Sequence, residues 1–174
     1  QGSPVVYAFE RPARVWQAAG SLASPLPAAP TESQFGVSVA ISADGSTLAV
    51  GDNGEASGAT GVHSAPLVAD GAPENGGAVF VFVRRAEGWA LQAYVKASVP
   101  SAGFGVAVAL SWAGDALAVG ASSDGGDGVA TAGTGAVYLF RRSAETWSEE
   151  AVVRASNADV GDAFGASLAL SHDG

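Results

Sequence analysis

The residues best equipped for chemistry in this chain are carboxylates set among glycines. Asp52-Asn-Gly-Glu55 is followed by Asp70 and Glu74, and Asp124-Gly-Gly-Asp127-Gly carries two more acids. Calcium takes about six to eight oxygen ligands, and glycine-rich loops let carboxylates and main-chain carbonyls turn toward one centre. Asp52, Asn53, Glu55, Asp124 and Asp127 are therefore the candidate ligands of a hard cation, with calcium the expected ion. Solvated loop charge is the competing reading, because the spacing follows no regular ligand motif. Asp159 and Asp162 form a smaller pair that reads as a solvated turn, and Asp44 and Asp173, each followed by glycine, read as turn residues.

The aromatic residues offer a second chemistry, since sugars stack on indole faces. Trp16, Trp89 and Trp147 recur at one fixed place in a repeated pattern, which favours packing over sugar binding. Trp112 is different: it occupies a turn where the equivalent positions are Ala43 and His172, so the repeat does not demand it. An exposed aromatic there is a ligand contact, or else it caps its own hairpin. Catalysis is not motivated. His63 and His172 lie in a loop and a turn, with no cysteine and no Gly-x-Ser-x-Gly elbow beside them. No phosphate-binding or dinucleotide fingerprint is present, and the acidic pairs lack the apolar setting that raises a carboxyl group for acid catalysis. The chain reads as non-enzymatic.

The elements that position these residues come from an internal repeat. Phe35-Gly-Val-Ser-Val-Ala-Ile-Ser42, Phe104-Gly-Val-Ala-Val-Ala-Leu-Ser111 and Phe164-Gly-Ala-Ser-Leu-Ala-Leu-Ser171 are three copies of one segment. Leu-Ala-Val-Gly follows the first two, ending at Gly51 and Gly120. A second set, Val6-Tyr-Ala-Phe9, Val79-Phe-Val-Phe82 and Val137-Tyr-Leu-Phe140, is followed each time by a tryptophan seven residues beyond its last Phe. The copies differ mainly in one loop: 47 residues separate Phe35 from Phe82, but 36 separate Phe104 from Phe140. Variable loops on a constant frame point to the loops, 52–77 and 121–135, as the recognition surface.

Each full repeat reads as four strands, at 37–42, 47–51, 78–84 and 89–97 in the first. Tight turns at Asp44-Gly45 and across 85–88 join them into two hairpins. A four-stranded sheet with two apolar faces must lean on its neighbours, which is the logic of a β-propeller blade. The expected class is all-β. Residues 1–34 form a partial blade with its connection, 35–103 and 104–163 two complete blades, and 164–174 the first strand of another.

Composition sets the boundaries of function. Hydrophobic residues make up 48% of the 174, and mean hydropathy is +0.24, so the chain orders itself. The formal net charge of −9 comes from 17 acidic against 8 basic residues and leaves no basic stripe for nucleic acid. No apolar run approaches the roughly 20 residues that cross a bilayer, so no membrane insertion is expected. With no Met and Gln1 at the start, the chain looks like a piece of a longer polypeptide. Open sheet edges and end faces predict self-association or further blades.

The Phe-Gly strand start, the Leu-Ala-Val-Gly strand, the Gly-Ala-Val-Tyr/Phe-x-Phe strand and the trailing Trp together resemble the FG-GAP repeat of integrin α-chain propellers and bacterial secreted proteins. The resemblance covers essentially the whole chain. It implies a propeller that binds protein or other ligands outside the cell or at its surface, with a lectin-like propeller as the alternative and a hydrolase or lyase as a more distant one. The calcium loop of integrin-like blades, Asp-x-Asp/Asn-x-Asp-Gly-x-x-Asp, has no match in the short turns Ser42-Ala-Asp-Gly-Ser46, Ser111-Trp-Ala-Gly-Asp115 and Ser171-His-Asp-Gly174, and is not carried over.

Overall fold

Short runs of Val, Ala, Phe and Tyr with period-two alternation, punctuated by glycine and aspartate, dictate strands rather than helices. The computed structural model describes residues 4–26, 33–66, 76–99, 102–126 and 133–174, and among them finds three antiparallel sheets and no α-helix. The first sheet pairs β1 (Val5–Glu10) with β2 (Gln17–Ala23). The second contains β3 (Ser38–Ile41), β4 (Thr47–Asp52), β5 (Val62–His63), β6 (Ala78–Arg85) and β7 (Gly88–Val95), in spatial order β3-β4-β6-β7-β5. The third is a meander of β8 (Phe104–Leu110), β9 (Ala116–Ala121), β10 (Ala136–Ser143) and β11 (Thr146–Val153).

Two elements differ from the sequence reading. β5 was not expected: two residues of the variable loop fold back onto the free edge of β7, pairing Val62 with Val95 and His63 with Tyr94. Over 164–174 a strand was expected, but only Phe164 bridges, to Gly135. No strand among the described residues pairs with the rest of that segment, and a strand exists only where another backbone pairs with it.

The repeat extends to the backbone irregularities. A bulge interrupts β1–β2 at Ala8/Phe9, β6–β7 at Val81/Phe82 and β10–β11 at Leu139/Phe140. In each case the extra residue lies on the returning strand: Ala19, Gln92 and Glu150 have no Cα partner across the ladder. A bulge bends its strand and re-aims the extra side chain.

Burial reports which faces are covered. Six consecutive residues of β4 and of β6 are buried, so the second sheet is covered on both sides. Leu48, Val50, Phe80 and Phe82 join Leu22 and Phe35 in one apolar layer toward the first sheet. Ala49, Val79, Val81 and Val95 join Phe104, Leu117, Tyr138 and Trp147 in a second layer toward the third. β1 and β10 instead alternate, because each has one covered face. Phe35 sets its ring edge-on to Phe80 and Phe82, and Phe104 does the same to Tyr138 and Phe140, at 5.4 and 6.2 Å. Such geometry adds about 0.5–1.5 kcal/mol to area burial.

Glycine decides how closely the repeats approach. A Cβ on Gly51 would lie 2.1 Å from the Gly105 carbonyl oxygen, and one on Gly120 would lie 1.9 Å from that of Gly165. Gly77 and Gly135 stand in the same relation to the carbonyls of Phe104 and Phe164, at 1.9 and 2.1 Å. The Phe-Gly start of each repeat is thus seated on two glycines of the repeat before it. Gly51→Ala and Gly120→Ala are predicted to cost about 1–3 kcal/mol or more each by forcing backbone apart. Urea unfolding checks this, and a loss within error for both would mean that the sheets are not held at this distance.

Candidate functional site

The loop between the second and third strands starts at a buried acid in both complete repeats. Glu55 and Asp124 each stand four residues beyond the glycine of Leu-Ala-Val-Gly, where the chain has left the strand and must turn. A buried carboxylate needs a cation and hydrogen bonds to offset its lost hydration, and both have them. Glu55 is paired with Lys96 from the end of the fourth strand, with side chains 2% and 3% exposed. Its Oε1 accepts the Ser57 backbone N–H at 2.9 Å and its Oε2 the Ser57 hydroxyl at 3.3 Å. Ser57 Oγ also shares a 2.7 Å hydrogen bond with the Tyr94 hydroxyl, and Lys96 Nζ donates to the Ser57 carbonyl at 2.9 Å. Burial, foremost, pushes the Tyr94 phenol well above its ordinary range, with the nearby carboxylates adding to the effect.

Asp124 is built the same way from other residues. Its Oδ2 accepts the Tyr138 hydroxyl at 2.6 Å, its Oδ1 accepts the Gly126 N–H at 2.6 Å, and Arg154 reaches both oxygens at 3.3 Å. Arg154 follows Trp147 at the distance by which Lys96 follows Trp89. The tyrosine has changed strand: Tyr94 faces Phe80 across the β6–β7 ladder, whereas Tyr138 faces Val152 across β10–β11. One hydroxyl thus reaches the acid from either side of the same rung. The backbone closes identically in both, Gly77 N donating to Glu55 O and Gly135 N to Asp124 O, each at 2.9 Å.

Asp52 works in the opposite direction. Fully buried, it accepts from Ser33 Oγ and the Gln34 N–H at 2.7 Å each and from the Gly54 N–H at 3.2 Å, tying the strand entry at Phe35 to the end of β4. Desolvation raises its pKa above the usual carboxylate range. Its charged form is therefore a cost that diminishes as pH falls toward the unfolded value. The Asn53 Oδ1 is buried without a partner among the described residues. Asp127, Asp70 and Glu74 lie outside the described residues.

Asp52, Glu55 and Asp124, read from the sequence as cation ligands, are thus bonded by protein donors. Asp52 and Glu55 come near one another, Asp124 belongs to a separate sheet, and among the described residues no group of three or more His, Cys, Asp or Glu is arranged to hold a metal ion. Lys96, Arg154, Tyr94 and Tyr138 are the partners that sequence reasoning missed. The signal was there, as a cation seven residues after each of two repeat tryptophans.

The first hairpin turns form a second cluster. Ser42 Oγ donates to Asp44 and accepts the Thr47 N–H; Ser111 Oγ donates to Asp115 and accepts the Ala116 N–H; Ser171 Oγ donates to Asp173. The tips are linked across repeats, Ala43 N donating to Trp112 O at 3.1 Å and Trp112 N to His172 O at 3.0 Å. The Trp112 ring, 60% exposed, stacks on His172 with centroids 5.0 Å apart. His63 is separate, its Nε2 within 2.8 Å of the Thr60 carbonyl.

Two outcomes are expected. Lys96→Met, which strands a buried carboxylate, loses about 3–5 kcal/mol, while the double variant Lys96→Met/Glu55→Gln recovers most of it; urea unfolding of both would refute the pairing if the double variant were the weaker. Asp44 is held at about 2, chiefly by the Ser42 hydroxyl, so its contribution is present above its ordinary 3.8 and is lost as pH falls from there toward 2. Melting curves of the wild type and Asp44→Asn should therefore converge over that window, and parallel curves would contradict the assignment. A scan against protein-family models finds no match to this chain, and a search of curated proteins finds none either.

Proposed function

We propose that the chain is part of an extracellular β-propeller that binds protein or other surface ligands, without catalysis, through the loops between the second and third strands of its blades. The observation that carries this reading is the loop root. Glu55 with Lys96 and Asp124 with Arg154 fix the two ends of loops that differ in length, and the backbone closure at Gly77 and Gly135 is the same in both. A fixed root carrying a loop of variable length is the arrangement of a recognition loop, since the frame stays constant while length and sequence vary. Stacking of consecutive sheets through shared apolar layers supports the propeller reading, as does the resemblance to FG-GAP repeats.

The Trp112–His172 stack favours a second reading, a glycan platform, because an indole that is mostly exposed yet held by backbone bonds on both sides loses little freedom when a sugar covers it. Exchanging residues 64–75 with 127–132, which leaves both loop roots and β5 in place, separates the two. Binding of the chain to arrays of immobilised extracellular proteins and glycans is expected to change with the loop exchange while the melting temperature stays within a few degrees. A pattern indifferent to the exchange but erased by Trp112→Ala would transfer the function to the hairpin tips.

A further inference from the structure

We infer that the tip of the β1–β2 hairpin is a cleavage site for an arginine-directed serine protease, with the Arg14–Val15 peptide bond as its target. The three hairpins of this kind have tips of one length, since tryptophan follows phenylalanine at the same distance in each. They close differently. The β6–β7 ladder runs out to Arg85 opposite Gly88 and the β10–β11 ladder to Ser143 opposite Thr146, which leaves only 86–87 and 144–145 unpaired. The β1–β2 ladder stops at Glu10 opposite Gln17, so residues 11–16 all stand outside it. Pro12 occupies the place of Arg85 and Ser143, and proline has no N–H to give a ladder.

Residues 11–16 are exposed throughout. The exposure does not come from a missing neighbour, because 84–88 and 143–146 are exposed as well. Little holds the tip in place. A single 3₁₀ turn over Pro12–Arg14 is closed by the Val15 N–H on the Pro12 carbonyl at 3.0 Å, and Arg11 Nε donates to the Arg14 carbonyl at 3.2 Å. Ala13 and Arg14 take φ of 51° and 67°, left-handed backbone that residues with a side chain adopt at a cost. An extended segment of the kind that pairs with a protein cleft forms here without breaking a ladder bond, and it relieves both residues in doing so.

The distribution of the eight lysines and arginines selects the bond. Residues 1–3, 27–32, 67–75, 100–101 and 127–132 contain none of them. Arg84, Arg85, Arg141 and Arg142 lie within ladders, Lys96 is buried, and Arg154 is paired with Asp124. Arg11 precedes Pro12, whose ring obstructs attack on the bond between them. Arg14 is left, and its side chain makes no ion pair among the described residues. Its guanidinium suits the acidic primary pocket of a trypsin-like enzyme.

Hydrolysis adds one water across the bond, leaving a carboxylate on Arg14 and an amine on Val15. The pieces stay together, because Val5–Glu10 remains paired with Gln17–Ala23, and Val6 and Leu22 pack in the layer toward the second sheet. The product is a two-chain form of the same fold with a new amino terminus beside Trp16.

Trypsin at a low ratio to the chain is the probe, with intact masses followed over time under native conditions. The first products expected are 1–14 and 15–174, which elute together in native gel filtration and separate in denaturant. Arg14→Gln is expected to slow the first cut at least about tenfold, because the acidic pocket loses its partner. The triple variant Pro12→Arg/Arg14→Glu/Val15→Gly copies residues 85–88, keeps arginine at the tip and lets the ladder close; it is expected to be cut as slowly as Arg14→Gln. A first cut at any other bond, an Arg14→Gln chain cut as fast as the wild type, or a triple variant cut at its tip as fast as the wild type would overturn the assignment.

Discussion

The fold depends on main chain seated directly on main chain. At Gly51 and Gly120 the next repeat's carbonyl occupies space that any other residue would fill with its Cβ, so the separation of consecutive sheets is set by backbone contact before side chains are considered. The side chains then fill what remains. Alanine, valine and leucine together with Phe104, Tyr138, Phe140 and Trp147 fill the layer between the second and third sheets. Phe-Gly is the unit of attachment for this reason: the phenylalanine packs edge-on within its own sheet, and the glycine, at positive φ in Gly105 and Gly165, brings its carbonyl onto the previous repeat.

Much of this was legible because repetition turns one sequence into several observations. The strands at Thr47, Ala78 and Ala116 begin where the repeats place them, and of the Phe residues that open the repeats Phe35 and Phe104 are core while Phe164 is half-buried. What escaped was pairing over distance. Lys96 alone is a cation at a strand end and Glu55 alone an acid in a glycine-rich loop; each reads as solvated until 41 residues of chain bring them together. The partners that the structure gives Asp52, Glu55 and Asp124 are protein donors. β5 was illegible because two residues carry no periodicity, and their strand character comes wholly from the edge of β7.

The tryptophans show where equal sequence stops meaning equal environment. Trp147 is buried, Trp89 half-buried and Trp16 exposed, although all three hold one position in the repeat. The difference lies in the neighbour: Trp147 reaches the complete second sheet and hydrogen-bonds Gln92, whereas Trp16 belongs to neither apolar layer among the described residues. Burial in a repeat protein is a property of the contact between units, and no inspection of one unit predicts it.

The two loop roots carry the argument about function furthest. A buried ion pair costs several kcal/mol of desolvation per ion before its attraction is counted, so it is a poor device for stability alone. Yet the chain sets a buried acid against a cation at the same place twice, as Glu–Lys with both partners buried and as Asp–Arg with the arginine partly exposed, with the supporting tyrosine supplied from opposite strands of one rung. Two solutions to one requirement identify the requirement: a fixed charge and hydroxyl at the point where the loop departs. Directional hydrogen bonds orient a backbone in a way that apolar packing does not. The strand ends on either side are thereby held in one geometry, and the frame tolerates a loop that returns 22 residues after Glu55 or 11 after Asp124. Freedom of length beyond a fixed root separates the demands of folding from those of recognition, and it lets the loops change without moving the sheets that carry them.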